Sequence, residues 1–429
     1  MTAIAWIAVA VFVGAYVLIA TERIHRVAAS LGGAAIVLGL GIVSSEEAFY
    51  SSETGVDWDV IFLLLGMMLV VGVLKGTGVF EYMAIRSAKL AKGRPYRVMV
   101  LLVLVTAAAS ALLDNVTTIL LVAPVTLLVC DRLELPAVPF LMAEALASNI
   151  GGAATLVGDP PNIIIASRAG LTFTDFLIHM LPVVLLVLAA FLLLARILFR
   201  KALSAPTAGT EALDALDERE AITDPKLLLR TGIVLGFIIL GFLLQRQTGV
   251  TPSVVALVGA GIMILLSPAR PAELLEDVEW ETLLFFMGLF ILVGALVQVG
   301  ALDKLATAMA DLTGSQVVPT LMIVLVGSAV VSAIVDNIPF VTAMSPVVAS
   351  LIQSNPALGQ DGALWWALAL GADLGGNATL VGASANVVVV GIAARNGLHI
   401  SFGQWLKYGL PTAALSIAIC IPYVLLRYA

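Results

Sequence analysis

Leu113-Asp114-Asn115-Val116-Thr117-Thr118 breaks into an otherwise apolar run that resumes and then meets Pro124; further on, Asp336-Asn337-Ile338-Pro339-Phe340 does the same and meets Ser345-Pro346. A carboxylate set deep in a bilayer is costly unless it is solvated or paired, so it normally lines a cavity or an ion path. Because Asp-Asn, proline and hydroxyls interrupt the apolar run at both places, each segment reads as the tip of a re-entrant hairpin whose freed backbone groups face a cavity. The plainer alternative is an Asp that caps a helix N-terminus near the interface. On the first reading Asp114, Asn115, Thr117, Thr118, Asp336 and Asn337 are candidate ion or substrate ligands.

Working outward, the two stretches belong to a duplication. A shift of 222 residues places Trp58 on Trp280, Gly66 on Gly288, Gly72 on Gly294, Gly78 on Gly300, Asp114 on Asp336, Asn115 on Asn337 and Pro124 on Pro346. Further along the shift becomes 224, and Gly151, Gly152, Thr155, Gly158 and Asn162 fall on Gly375, Gly376, Thr379, Gly382 and Asn386. The second block runs Asn149-Ile150-Gly151-Gly152 to Gly158-Asp159-Pro160-Pro161-Asn162 in one half, and Gly375-Gly376-Asn377-Ala378-Thr379 to Ala383-Ser384-Ala385-Asn386 in the other. Paired glycines allow close backbone approach, and Gly-Asp-Pro-Pro stops a helix. Each block reads as a discontinuous helix whose carbonyls would face a cation and whose second N-terminus would face a substrate oxygen. A packing face of small residues is the alternative. The candidates added here are Asn149, Gly151, Gly152, Thr155, Asp159, Asn162, Asp373, Gly375, Gly376, Asn377, Thr379, Ser384 and Asn386. Asp373 aligns with Asn149, so the halves differ in charge where a coupling ion would sit; Glu144 and Asp373 are both candidate proton carriers.

Composition agrees. Of 429 residues 61% are hydrophobic and 12% charged, and the mean hydropathy is +1.08; a soluble domain carries roughly 25% charged residues. Apolar runs from Ile4–Ala20 to Trp405–Leu426 suit spans of about 20 residues, and they do not alternate with period two as a barrel's would. The fold class expected is an all-α polytopic membrane protein of two inverted-topology repeats, residues 1–200 and 227–429, joined by a cytoplasmic linker at 201–226 that carries Glu211, Asp214, Asp217, Glu218, Glu220 and Asp224. The first span reads as a retained helix rather than a cleaved signal. Inversion follows from the positive-inside rule. The loop with Arg86, Lys89, Lys92, Arg94 and Arg97 is basic, whereas its counterpart near Ala301–Val318 holds Lys304 alone, and Arg246 is the one awkward cation outside. Cys130 and Cys420 form no metal or disulfide pattern, His25, His179 and His399 fall at span ends, and Trp365 and Trp366 read as interfacial belt aromatics. No phosphate loop or HExxH occurs, so ATP hydrolysis and zinc proteolysis by this chain have no support; nor does nucleic-acid binding.

Inverted repeats with broken helices mark secondary transporters. A channel or membrane scaffold has no need of matched broken helices. No enzyme activity, resident cofactor or firmly assigned metal is expected, and the coupling ion would be a proton or sodium. The segments Leu101–Cys130, Pro136–Ala166, Leu321–Ile352 and Ala363–Ala394 hold no Lys or Arg, which favours a cation or a neutral solute such as arsenous acid over a dianion.

These motifs, Leu113 to Thr118 with Asn149 to Asn162 and Asp336 to Phe340 with Gly375 to Asn386, resemble the P-protein (pink-eyed dilution) type and its bacterial relatives, grouped with arsenical pump permeases in the ion transporter superfamily. The resemblance spans nearly the whole chain. It implies elevator-type alternating access in a homodimer of the inner membrane, and allows a soluble ATPase subunit as partner. The function expected is proton-driven arsenite or antimonite efflux; the alternatives are a sodium/proton antiporter and a sodium-coupled anion or carboxylate transporter.

Overall fold

A computed structural model describes residues 2–21, 23–204 and 218–428 of the chain. Glu211, Asp214 and Asp217 of the linker therefore lie outside the described residues. Every regular element among the described residues is helical, and eight helices are long and apolar enough to cross a membrane.

The two halves repeat one order of elements. Each has a long apolar helix (Trp58–Lys75, then Trp280–Gln298), a short amphipathic helix (Val79–Leu90, then Ala301–Thr313), a hairpin (Pro95–Leu112 with Asn115–Arg132, then Val317–Ser332 with Asn337–Ser354) and a broken helix (Ala137–Gly152 with Pro160–Ala169, then Ala363–Gly375 with Ser384–Arg395). Inversion is read from the ends of the long helices. Lys75, at the end of the first, pairs with Asp277, just before the second, at 2.7 Å. Glu47, just before the first, accepts from Gln298 at the end of the second at 2.9 Å. Corresponding helices thus run in opposite directions.

The halves also exchange partners. Helix Trp58–Lys75 packs on Pro252–Leu266 of the second half, and Trp280–Gln298 packs on Arg26–Gly39 of the first. Both crossings depend on glycine. A Cβ on Gly66 would lie 2.8 Å from the Ala256 carbonyl carbon, and one on Gly288 would lie 2.7 Å from that of Ser30. Interiors packed this tightly have no room for the extra carbon.

On the face where the first long helix ends, the linker's final residues are strapped down. Glu218 pairs with Arg86 at 2.9 Å and with Lys89, and the Thr223 hydroxyl donates to the Gly76 carbonyl at 2.7 Å. Gly78 sits at φ +74° under the Ala221 carbonyl, where no side chain fits. On the opposite face Arg246 pairs with Asp175 at 2.6 Å, so the awkward cation has a local partner. Two aromatic expectations are corrected: Trp366 is 1% and Trp365 7% exposed. They are core residues because helix Ala363–Gly375 is enclosed on all sides; Trp366 stacks on His179 and donates to the Asp361 carbonyl at 2.8 Å.

Candidate functional site

The hairpin tips form because Asp caps the inner arm. Leu113 is extended, Asp114 is the N-cap of Asn115–Arg132, and its Oδ1 accepts the Thr117 N–H at 2.7 Å. Asp336 caps Asn337–Ser354 in the same way, accepting the Ile338 N–H at 3.0 Å. The capping alternative and the hairpin-tip reading therefore describe one geometry. The tips meet the breaks at one depth. Thr155 donates to the Ala111 carbonyl and Thr379 to the Ala333 carbonyl, each at 2.6 Å.

Each break is closed by its own asparagine. Asn162 Nδ2 donates to the Thr155 carbonyl at 3.0 Å and the Gly152 carbonyl at 3.4 Å; Asn386 Nδ2 donates to the Thr379 and Gly376 carbonyls at 2.9 and 3.0 Å. These freed carbonyls are occupied by amides rather than left open. The glycines serve approach: a Cβ on Gly151 would meet the Ala107 carbonyl oxygen at 2.2 Å, and one on Gly375 the Ala329 Cα at 2.4 Å. Gly152 against Gly158 and Gly376 against Gly382 fold the breaks onto themselves.

Between the halves lies a buried polar core. Asn115 Nδ2 donates to Asp159 Oδ2 at 2.9 Å and to Asn149 Oδ1 at 3.1 Å. Asn149 Nδ2 donates across the pseudo-symmetry axis to Asn377 and Asn386, both at 2.9 Å. Asn337 reaches Asp159 from the second tip at 3.4 Å. Asp159 and Asp373 interact electrostatically. Both oxygens of Asp373 lack a hydrogen-bond partner, as do Asn162 Oδ1 and the Thr118 hydroxyl. Glu144, also fully enclosed, accepts from Thr126 at 2.6 Å and leaves its second oxygen unpartnered. A low-dielectric interior makes such groups costly unless something absent from the protein's own atoms completes them. No group of three His, Cys, Asp or Glu side chains among the described residues is arranged to hold a metal.

From the linker face a cavity of about 410 Å³ descends to Asp336, lined by Arg26, His25, Val116, Ser384 and Val388 among others. Here the sequence reading missed a residue. Arg26 Nη1 donates to Ser384 Oγ at 3.3 Å and Nη2 to Thr282 Oγ1 at 3.2 Å, while Ser384 donates to Asp336 Oδ2 at 2.7 Å. The apolar segments near the motifs lack basic residues, but the fold brings one in from the start of Arg26–Gly39. Its only sequence signal is its place at the first turn of an apolar helix rather than in mid-loop. Tyr16 is a second omission, its hydroxyl donating to the Pro339 carbonyl behind the second tip. The opposite face has a smaller cavity, about 250 Å³, lined by Asp57, Arg168 and Ser345 among others. Arg168 donates to the Glu53 carbonyl at 3.0 Å, and Ser167 bonds Asp57. Broken helix one is thereby tied to the loop before Trp58.

Inverted halves with polar tips and breaks meeting at the centre, with a cavity on each face, define a membrane transporter. The chain belongs to the citrate transporter (CitMHS) family, whose model matches residues 16–371. It is 54% identical over 422 residues to an uncharacterized transporter of Mycobacterium tuberculosis, covering 98% of both chains. It is 53% identical over the same length to a 46 kDa membrane protein of Mycobacterium leprae. The P protein of Mus musculus is 34% identical over 98% of this chain and 60% of its own, in keeping with the motif resemblance. In fold the chain is similar to the YdaH transporter of Alcanivorax borkumensis, with a TM-score of 0.62 at 16% identity over 91% of this chain and 86% of that one.

Proposed function

We infer that the chain is a cation-coupled secondary transporter of the inner membrane that carries a small carboxylate through the linker-side cavity. The observation that carries this is Arg26. Its guanidinium reaches Ser384 at the N-terminus of one helix, and Asp336 beside it caps the N-terminus of another. Guanidinium and helix N-termini together favour an anion. The family's description as citrate transporters makes citrate the first solute to try. Buried carboxylates with unpartnered oxygens at the centre support a coupling cation, proton or sodium. The basic loop Arg86–Arg97 and Arg200–Lys201 on the linker face support a cytoplasmic linker.

Proton-driven export of arsenite or antimonite, the function expected of an arsenical-permease relative, remains the second reading. It is favoured by the hydroxyls and amides of Thr282, Ser384 and Asn337, which suit a neutral polyhydroxy solute. Sodium/proton antiport without a further solute is the third, resting on the same buried carboxylates. One assay separates them. Purified protein in liposomes is given labelled citrate or labelled arsenite under an imposed pH or sodium gradient. Gradient-driven accumulation of citrate, absent for arsenite, is expected. Arsenite accumulation without citrate, or sodium-driven proton movement with neither solute, would overturn the carboxylate assignment.

A further inference from the structure

Pseudo-symmetry supplies a standard against which one side chain fails. In one half Asn386 uses both amide hydrogens on the carbonyls of its own break, and its Oδ1 accepts the Asn149 amide at 2.9 Å. In the other half Asn162 also uses both amide hydrogens on its own break. The residue equivalent to Asn149 there is Asp373, since both pairs obey the 224-residue shift. Asp373 lies beside Asn162 and is fully enclosed, and no hydrogen bond reaches either of its oxygens or Asn162 Oδ1. A donor stands on one side of the molecule; on the other the equivalent position holds an acid, and the oxygen it would answer is left unpartnered.

The missing object is a proton or a metal cation. A sodium ion needs several oxygens around it, as hard cations do, and at this contact the unpartnered oxygens are those of one carboxylate and one amide. One hydrogen on Asp373 would complete the contact with no further ligand, playing the part of the Asn149 amide. The titratable group that faces Asp373 is another carboxylate. Asp159 faces it from the break before Pro160, and it accepts from Asn115 and Asn337. Glu144, on the adjoining helix, is turned to Thr126, and Asp336 to Ser384. His179, Tyr423 and Tyr428 gather near Trp366 at the far end of helix Ala363–Gly375. The hairpin arm Val317–Ser332 brings hydroxyls only, Ser332 donating to the Ala372 carbonyl at 2.6 Å.

We propose that Asp373 is the coupling-proton site: protonated in the state seen here, it donates to Asn162 Oδ1, and it releases that proton when the two halves part. The proposal rests on the reading of the chain as a cation-coupled transporter, but its first test needs no solute. Infrared spectra of the purified protein at neutral pH carry a carbonyl stretch for each protonated carboxylic acid. Asp373→Asn should remove one such band while leaving the melting temperature at or above that of the wild type, because the amide supplies the same donor; Asp373→Leu should lower it. Asn162→Leu, which removes the acceptor, should shift the same band to higher frequency, and it serves if Asp373→Asn fails to fold. An unchanged band in both variants would overturn the proposal. So would a melting temperature raised by sodium in the wild type and not in Asp373→Asn, which would make the site a sodium site. In liposomes with citrate, Asp373→Asn should lose accumulation driven by a pH gradient. Retained pH-driven accumulation would overturn it; if citrate is not carried at all, the infrared arm still decides.

Discussion

Replacing Arg26 by Gln tests the assignment of the cavity most directly. In the structure the guanidinium has two long hydrogen bonds to neutral hydroxyls, at 3.3 and 3.2 Å, and stands 5.5 Å from the Phe285 ring centre. It forms no ion pair among the described residues. At about 1 kcal/mol for each hydrogen bond, losing these two contacts costs the fold about 2 kcal/mol, beside the longer-range attraction of the guanidinium to Asp336 and Glu279. An anionic solute would use the same side chain differently. A charge-assisted hydrogen bond to carboxylate is worth about 1.5–3 kcal/mol, and each 1.4 kcal/mol is a factor of about ten. Arg26→Gln should therefore raise KM for citrate about ten- to hundredfold while the protein still folds. Arg26→Lys keeps the charge but loses the two-pronged reach, so it should fall between.

The assay is initial-rate uptake of labelled citrate into liposomes, with folding checked by thermal unfolding in detergent. A neutral solute provides the internal contrast, because arsenous acid gains little from a cation. A KM for citrate within about twofold of wild type, in a folded Arg26→Gln protein, would refute the role given to Arg26. Equal loss of arsenite and citrate flux would show that Arg26 supports the transport cycle rather than the solute.

The remaining predictions concern the frame. Gly66→Ala and Gly288→Ala should each destabilise by about 1–3 kcal/mol through overpacking, whereas Gly72→Ala, whose Cβ would meet Asp277 at an ordinary 3.6 Å, should be close to neutral; thermal unfolding of the three checks the swapped crossings. Asn386→Leu removes the amide donor to the Gly376 and Thr379 carbonyls and one of the two acceptors of the Asn149 amide, and at about 1 kcal/mol for each should cost about 3 kcal/mol, read as a lower melting temperature. Arg168→Ala unties broken helix one from the Glu53 carbonyl and should raise labelling of a cysteine placed at Ser345 by a reagent added on the face away from the linker; unchanged labelling would deny it a gating role. The linker strap should resist acid. The Lys89 and Arg86 contacts hold the Glu218 carboxyl at about 2, well below its ordinary 4.5. A lowered carboxylate pKa contributes above the ordinary value and is lost only as pH falls through the lowered one. Proteolysis of the linker should thus change little from neutrality to about pH 4, while Glu218→Gln should speed it at any pH.

Much of the architecture is legible in the chain because a duplication writes each structural requirement twice. Gly66 with Gly288, Thr155 with Thr379 and Asn162 with Asn386 each do the same thing in both halves, so their recurrence points to closeness or closure before any coordinates are known. What was not legible depends on distance in sequence. Arg26 lies 358 residues from Ser384, and its helix carries no motif. The tryptophans misled because a Trp pair at the start of an apolar helix is the usual mark of an interface. Only the packing of His179 and Phe176 against Trp366 shows that this helix begins inside the protein. Nor does the chain disclose that the break carbonyls are already occupied, since a donor such as Asn162 is indistinguishable there from a ligand.

The division of labour between repeated and unrepeated residues carries the functional argument further. Positions that match across the halves build hairpins, breaks and crossings, and their polar atoms mostly satisfy one another. Positions that differ carry the charge. Asn149 is answered by Asp373, Asp159 by Ala383, and Pro160 by the Ser384 that links Arg26 to Asp336. Even the matched pair Asp114 and Asp336 is made unequal by that neighbour. A transporter built from two inverted copies has two nearly equivalent ways to arrange them, and perfect symmetry would leave cation and solute nowhere particular to bind. Substitutions at the unmatched positions should therefore alter coupling and solute choice with modest effects on folding, and those at matched positions the reverse. Exchanging the unmatched pair, Asn149→Asp with Asp373→Asn, is the sharpest case. If the proton site follows the carboxylate, the double variant should regain the infrared band lost in Asp373→Asn, now hydrogen-bonded to Asn386. A double variant without that band would mean that the surroundings of Asp373, Asp159 among them, and not its place opposite an asparagine, decide where the proton is held.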